Sequence, residues 1–228
     1  MHPSAVLFDI DGTLVDSNFL HVEAWAHAFD ELDLRVPAWR IQRMIGADSD
    51  ELLSTLIGDE SEEVQTRAKE LHSELYEQLG SRLNVFDGAR ELVAAVAARG
   101  VRVVLATSAP KDELDRLLPV LDIDDSTYAV TSGEDVETAK PRPDIIEAAL
   151  EKGQVDAGAA FMIGDSVWDI VAAGKAGVTS IGLLSGGTGE ADLLEAGAVA
   201  VYDDVSDLLE GLDASPLAAL WSQPDSVG

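Results

Sequence analysis

Six short apolar runs govern what this chain can fold into. They are AVLFDI (5–10), VRVVLA (101–106), YAVTS (128–132), AFMIG (160–164), TSIGLL (179–184) and AVAVY (198–202). Most are β-rich and apolar on both faces, the pattern of a strand buried inside a parallel sheet. Helical patterns separate the later ones. Residues 88–98 read as a helix that Gly100 stops. Pro110 and Pro143 each stand where a first helical residue belongs, and 167–176 and 204–211 complete the alternation. Repeated β-α units imply an α/β fold with a doubly wound parallel sheet.

The first interval breaks this rhythm. Between the runs 5–10 and 101–106 the sequence shows no clear strand. Helices fit at 17–32, 38–45, 49–57 and 61–80, and Asp48 with Glu51 has capping-box spacing at the start of the third. Residues 16–85 are therefore expected to be an all-helical insertion, with 1–15 and 86–213 forming the α/β core and 214–228 a tail. Within that tail Leu217, Leu220 and Trp221 are able to dock on the core. Ligands of such sheets bind at the carboxyl ends of the strands. An insertion leaving that end would sit over the site as a lid.

Composition excludes several chemistries. The chain has no cysteine, so disulfides and thiol nucleophiles are absent, and its four histidines show no zinc-ligand spacing. No apolar run approaches the roughly 18–20 residues of a membrane span. The N-terminal MHPSAVLFDID lacks the basic region of a secretory signal, and a cytoplasmic protein is expected. Fifteen Lys and Arg against 43 Asp and Glu give a net charge of −28. That field repels nucleic acid and anionic lipid, so neither is an expected partner. It also repels phosphorylated metabolites, so a phosphate site must supply its own positive charge. The acids are spread along the chain without a block, which fits salt adaptation or an arginine-favouring genome better than a face for a basic partner.

Four segments end expected strands with chemistry-bearing residues. The first runs Asp9-Ile10-Asp11-Gly12-Thr13-Leu14-Val15-Asp16-Ser17. Asp9 and Asp11 flank one residue, and both side chains can face the crevice as the chain turns at Gly12. The second is Ala106-Thr107-Ser108, the third Ala139-Lys140-Pro141-Arg142-Pro143-Asp144, and the fourth Gly164-Asp165-Ser166-Val167-Trp168-Asp169. Each has a blander reading. Acid pairs at strand ends often serve turns or caps. Asp16 and Ser17 read as a hinge and helix cap, Arg142 as a surface residue, and Asp169 as a salt-bridge partner of Lys140. In the insertion, His21 and Trp25 lie four apart on one helix face, a packing pattern. The loop Met44-Ile45-Gly46-Ala47-Asp48 either points at the site or ends a helix. Ser185-Gly186-Gly187-Thr188-Gly189 reads as a strand-to-helix loop near the site.

Together the four segments resemble, in order and spacing, the motifs of the haloacid dehalogenase superfamily, over about residues 5–205. The resemblance implies a Rossmann-like core with a helical cap after the first motif. It implies a Mg²⁺-dependent phosphatase acting on a small phosphorylated metabolite, with phosphoglycolate phosphatase-like and β-phosphoglucomutase-like groups nearest in pattern. It implies Asp9 as a nucleophile that becomes an aspartyl-phosphate, and Asp11 as the acid for the leaving alcohol and the base for water. Thr107 and Lys140 would hold phosphoryl oxygens, with Gly12, Ser108 and His21 as further substrate contacts. Mg²⁺ would take the Asp9 side chain, the Asp11 main-chain carbonyl and Asp165, with Asp169 behind them. The chemistry supports this reading. A phosphate dianion resists an anionic nucleophile unless cations neutralise both and hold them in line. All-oxygen ligands suit Mg²⁺.

Rival functions are a mutase with the same catalytic residues, a signalling receiver and a non-catalytic phosphate-binding regulator. A mutase must grip a second phosphate. The residues after Gly46 (Ala47, Asp48, Ser49, Asp50 and Glu51) supply no cation, though Arg43 could substitute. A receiver needs no lid. A dehalogenase is disfavoured because Asp11 is present. The protein is expected to be a monomer or weak homodimer.

Overall fold

The structure is a computed structural model that describes residues 3–136 and 140–221. Of the positions above, His2, Ala139 and the tail residues 222–228 lie outside it. The strands are β1 (Ala5–Phe8), β2 (Val15–Asp16), β3 (Asn84–Val85), β4 (Arg102–Ala106), β5 (Ala129–Thr131), β6 (Ala160–Gly164), β7 (Thr179–Leu183) and β8 (Ala200–Tyr202). The first four helices lie between β2 and β3: α1 (Asn18–Glu31), α2 (Ala38–Gln42), α3 (Ser49–Ile57) and α4 (Glu62–Leu79). The others are α5 (Ala89–Ala98), α6 (Lys111–Leu121), α7 (Asp144–Gly153), α8 (Val167–Lys175), α9 (Glu190–Ala196) and α10 (Val205–Glu210).

All six expected runs join one sheet in the order β5-β4-β1-β6-β7-β8, with every pairing parallel. β1 lies inside the sheet and the chain winds outward from it in both directions, so the crevice opens beyond its carboxyl end. Alternate residues of β1 face opposite layers. Val6 and Phe8 pack with Leu92 of α5, Leu117 of α6 and Leu208 of α10. Ala5 and Leu7 pack with Ile146 of α7 and Ala172 of α8. Both faces are covered, which is why the runs are continuously apolar. Leu217 of the tail is buried in the first layer, and Leu220 and Trp221 pack against it.

Three expectations need correction. The interval read as strand-free contains β2 and β3, which pair antiparallel as Val15↔Val85 and Asp16↔Asn84. This two-residue ribbon ties together the entry and exit of the helical segment, and it is too short to show a period. α2 ends at Gln42, not at residue 45. Pro110 and Pro143 precede their helices instead of starting them. The helices α1–α4 have an apolar centre of their own, built from Trp25, Phe29, Ile41, Leu52, Leu53 and Ala68. They reach the sheet at defined points. The Asp48 amide donates to the Lys140 carbonyl at 3.1 Å, and Trp168 Nε1 donates to the Arg43 carbonyl at 3.2 Å. Gly46, at φ +91°, lies against Ser166, where a Cβ would come within 2.6 Å of its Oγ. The Gly46 loop therefore points at the site. Among the described residues no helix is long and apolar enough to cross a membrane.

Candidate active site

Strand termini bring the four motifs together. Asp9 follows β1, and its amide still donates to the Ile163 carbonyl of the neighbouring strand at 3.0 Å. Lys140, 1% exposed, lies between two carboxylates, with Nζ 2.6 Å from both Asp9 Oδ1 and Asp169 Oδ1. Asp169 is itself fixed, because its Oδ2 accepts from the Ser166 amide (3.1 Å) and Ser166 Oγ (2.6 Å) in the capping box that starts α8. Asp165 accepts from Thr13 Oγ1 at 3.1 Å and Asn18 Nδ2 at 2.7 Å. Gly186 passes so close that a Cβ there would fall 1.6 Å from Asp165 Oδ2. The Ser185–Gly189 loop thus closes one side of the site, and Ser185 Oγ donates to the Gly12 carbonyl at 2.7 Å.

Carboxylate oxygens of Asp9, Asp165 and Asp169 lie within 4.8 Å of one another, all buried. Two of the three carboxylates, Asp9 and Asp169, pair with the one ammonium of Lys140. Burial pushes the Asp9 carboxyl up to about 7, with the Asp169 and Asp11 charges adding to it and Lys140 opposing it. Asp165 is raised well above the carboxylate range by burial and then by the Asp169 and Asp9 charges. Burial disfavours the Lys140 ammonium, yet the Asp169 and Asp9 charges outweigh it and hold its pKa above the ordinary lysine value. An uncompensated, buried, all-oxygen cluster of this kind could hold a divalent hard cation. Asn18 Oδ1, buried beside Asp165 without a partner among the described residues, is a further oxygen on that side.

Asp11 points elsewhere. Its Oδ1 accepts from Ser17 Oγ at 2.5 Å and lies 3.6 Å from His21 Nε2. Ser17 makes no side-chain cap on α1, so the cap expected of it is replaced by this bond. Burial would raise the Asp11 pKa. The His21 contact and charge, the Ser17 bond and the Lys140 charge prevail and hold it below the usual value. His21 Nε2 also pairs with Glu113 Oε1 at 3.1 Å, and its Nδ1 lies 3.1 Å from His72 Nε2. Burial would lower its pKa, but Glu113 and Asp11 push it up to about 10. His72 is held well below its ordinary value by burial and by the His21 charge. His21 stacks on Tyr76 at 3.9 Å and His72 on Trp25 at 4.2 Å. His21 thus packs on Tyr76, as its helix face suggested, and its ring nitrogens face Glu113, Asp11 and His72.

Thr107, 1% exposed, accepts from the Ala109 amide at 3.0 Å, and among the described residues its own proton has no acceptor. Ser108 Oγ is buried without a partner among the described residues. The Gly12 amide is committed to the Val15 carbonyl at 2.8 Å. Gly12 therefore serves the turn: at φ +75° a Cβ would strike Asn18 and Asp165, and its amide is not a free phosphate donor. Arg142 is exposed and Arg43 lies over Trp39, away from the cluster. Above Asp9 and Lys140 opens a cavity of about 460 Å³, roofed by Trp25, Met44, Ile45, Leu52 and Lys69. Lys69 is paired with Asp50 at 2.5 Å. Sequence reasoning missed Asn18, Glu113 and Lys69 as site neighbours. Only Asn18 carried a signal, as the polar residue that continues the first motif into a helix.

The sequence profile of the haloacid dehalogenase-like hydrolases matches residues 6–183. A phosphoglycolate phosphatase of Rhodospirillum rubrum is 32% identical over 217 residues, covering 90% of this chain and 89% of its own. A phosphorylated carbohydrates phosphatase of Thermotoga maritima is 29% identical over 200 residues, 86% of this chain and 93% of its own. A crystal structure of a hydrolase from Pseudomonas syringae superposes with a TM-score of 0.88 at 35% identity, covering 92% of this chain and 98% of that one.

Proposed function

The chain belongs to the haloacid dehalogenase-like hydrolases, and on that basis we propose that it is a Mg²⁺-dependent phosphatase of a small phosphorylated metabolite. The substrate class is a sugar phosphate or a phosphoglycolate-like ester. The observation that carries this is the divergence of the two acids: Asp9 turns to Lys140 beneath the cavity, while Asp11 turns to its rim. In this reading 16–85 is the cap and 1–15 with 86–213 the core.

Lys140, the Thr107 hydroxyl and the unpartnered Ser108 hydroxyl are available to the phosphoryl oxygens. Asp9 attacks phosphorus, a P–O bond forms to its carboxylate, and the bond to the alcohol breaks. Asp11 gives its proton to the departing oxygen. A dianionic ester arriving beside Asp11 favours its protonated form. Asp11 then takes a proton from water, which attacks phosphorus and returns Asp9 and free phosphate. Asp9, the Asp11 main-chain carbonyl and Asp165 would hold Mg²⁺, with Asp169 and Thr13 fixing Lys140 and Asp165. When bound, the ion supplies positive charge against nucleophile and phosphate. Closure of the cap would exclude water.

The mutase remains the alternative. Lys69 is a cap cation able to meet a second anionic group, but Asp48, Asp50 and Glu134 also line the cavity and oppose a second phosphate. The test is phosphate release from a panel of metabolite esters, with EDTA and with Mg²⁺ restored, for wild type and Asp9→Asn. Turnover in EDTA, or a substantially active Asp9→Asn variant, would overturn the mechanism. Isomerisation of β-glucose 1-phosphate outrunning phosphate release would favour the mutase.

A further inference from the structure

Among the described residues, nearly all of the acids are solvated or belong to the Asp9 cluster. Glu113 is neither. It stands in the first turn of α6, shortly after the segment that carries Thr107 and Ser108, and its side chain is 12% exposed. Among the described residues its ion pair is with His21, on α1 of the helical segment. Burying a carboxylate costs free energy unless a partner and a fixed geometry repay it. This carboxylate also borders the cavity.

His21 is held on three sides. Tyr76 covers its ring face, with planes 11° apart, and His72 takes its Nδ1 edge. The Nε2 edge looks into a gap between two carboxylates, Glu113 at 3.1 Å and Asp11 at 3.6 Å. One N–H cannot make two good hydrogen bonds in different directions. The nearer acceptor has it, and 3.6 Å lies beyond a hydrogen bond. Take the Glu113 oxygen away and Asp11 is the acceptor left within reach.

We propose that Glu113 is a positioning residue: by holding the His21 edge, it keeps the imidazole from drawing Asp11 out of line with the departing alcohol. The proposal rests on the reading of Asp11 as the acid that serves that alcohol. Asp11 Oδ1 is already engaged by Ser17. A second bond from His21 would turn the carboxyl towards α1. A general acid must come within about 2.6–3.2 Å of the oxygen it protonates, so even a small rotation matters. The held His21 also joins the helical segment to α6 across the rim of the cavity, so the same contact registers the acid and the roof together.

Leaving-group chemistry separates this role from a structural one. An alkoxide needs a proton in order to depart, and a nitrophenolate does not. kcat/KM, which reports the steps up to departure of the alcohol, is measured for sn-glycerol 3-phosphate and for 4-nitrophenyl phosphate. Proton transfer contributes roughly 10²–10⁴-fold, so Glu113→Ala should cost the alkyl ester about 10-fold or more and the aryl ester less than about 3-fold. Glu113→Gln, whose amide oxygen can accept the same N–H, should recover part of the loss. In a His21→Asn background, Glu113→Ala should add little. Equal losses on both esters, or an undiminished Glu113→Ala effect in that background, would overturn the proposal. A wild-type enzyme that releases phosphate from neither ester nor from any member of the metabolite panel defeats the phosphatase reading, and this proposal with it, before any variant is made; if another alkyl ester of the panel is the substrate, it takes the place of glycerol 3-phosphate. Native circular dichroism of the Gln variant shows that its kinetics report the site.

Discussion

Asp9→Asn should abolish turnover and yet stabilise the metal-free protein at alkaline pH. The Asp9 carboxyl is raised from 3.8 to about 7, chiefly by burial. An acid raised in the folded state contributes fully below its unfolded value and loses that contribution as pH climbs through the folded one. Wild type therefore gives up stability between about pH 4 and 7, on the order of 4 kcal/mol for this one group. Asn does not titrate, and its Oδ1 can still accept from Lys140, which keeps Asp169 as a counter-charge at 2.6 Å. The variant's advantage should be near zero at pH 4 and level off above pH 7. At roughly 2–4 °C per kcal/mol for a chain of this size, the plateau is about 8–16 °C in Tm. Mg²⁺ at about 1,000 times its Kd should erase it, because binding then adds about 4.1 kcal/mol to the form that binds the ion. Urea and thermal unfolding at pH 4.5, 6 and 8, in EDTA and in Mg²⁺, measure all of this. If the variant is less stable than wild type at pH 8 in EDTA, the Asp9–Lys140 attraction exceeds the burial cost and the reasoning fails. A pH-independent difference refutes it equally.

Further outcomes follow from the same structure. Asp169→Asn removes one of two carboxylates beside Lys140; steady-state kinetics should show kcat or metal affinity falling by about 10–100-fold, as for other residues that orient a site from behind. Lys69→Ala should raise KM for phosphoglycolate more than for glycerol 3-phosphate, because Lys69 is the cation on the cavity roof; equal changes would show that it contacts no carboxylate. Phe29, 1% exposed in the apolar centre of the helical segment, should cost about 3–5 kcal/mol on replacement by Ala, read by urea unfolding. With a net charge of −28, Tm should rise between low and molar KCl, where the Debye length shrinks to about 3 Å; a flat response would leave genome composition as the account of the acids.

Buried parallel strands are legible because both faces are apolar, so a polar residue that ends such a run stands out. Asp9, Thr107 and Asp165 were visible in this way, and Lys140 through its proline-flanked motif before α7. The ribbon β2–β3 was not, since a two-residue strand has no period. Ser17 does take the N-cap position of α1, but the partner of its hydroxyl was hidden for a related reason. A serine before a helix has the local pattern of a cap, and only the turn at Gly12, which brings Asp11 back over it, gives its hydroxyl a better acceptor at 2.5 Å. Glu113 and Lys69 were invisible because their importance lies in contacts between distant elements, His21 of α1 in one case and Asp50 of α3 in the other. The acidic composition deepens that blindness. Where 43 residues are Asp or Glu, one more glutamate at a helix start reads as a favourable first-turn charge. What sets Glu113 apart is burial beside a histidine. Burial of a charge has to be repaid locally, so in a chain this acidic the informative carboxylates are the few the fold declines to leave in water. By that criterion Asp9, Asp165, Asp169 and Glu113 belong together: Asp9 and Asp169 pair with Lys140, Asp165 lies beside those two, and Glu113 pairs with His21.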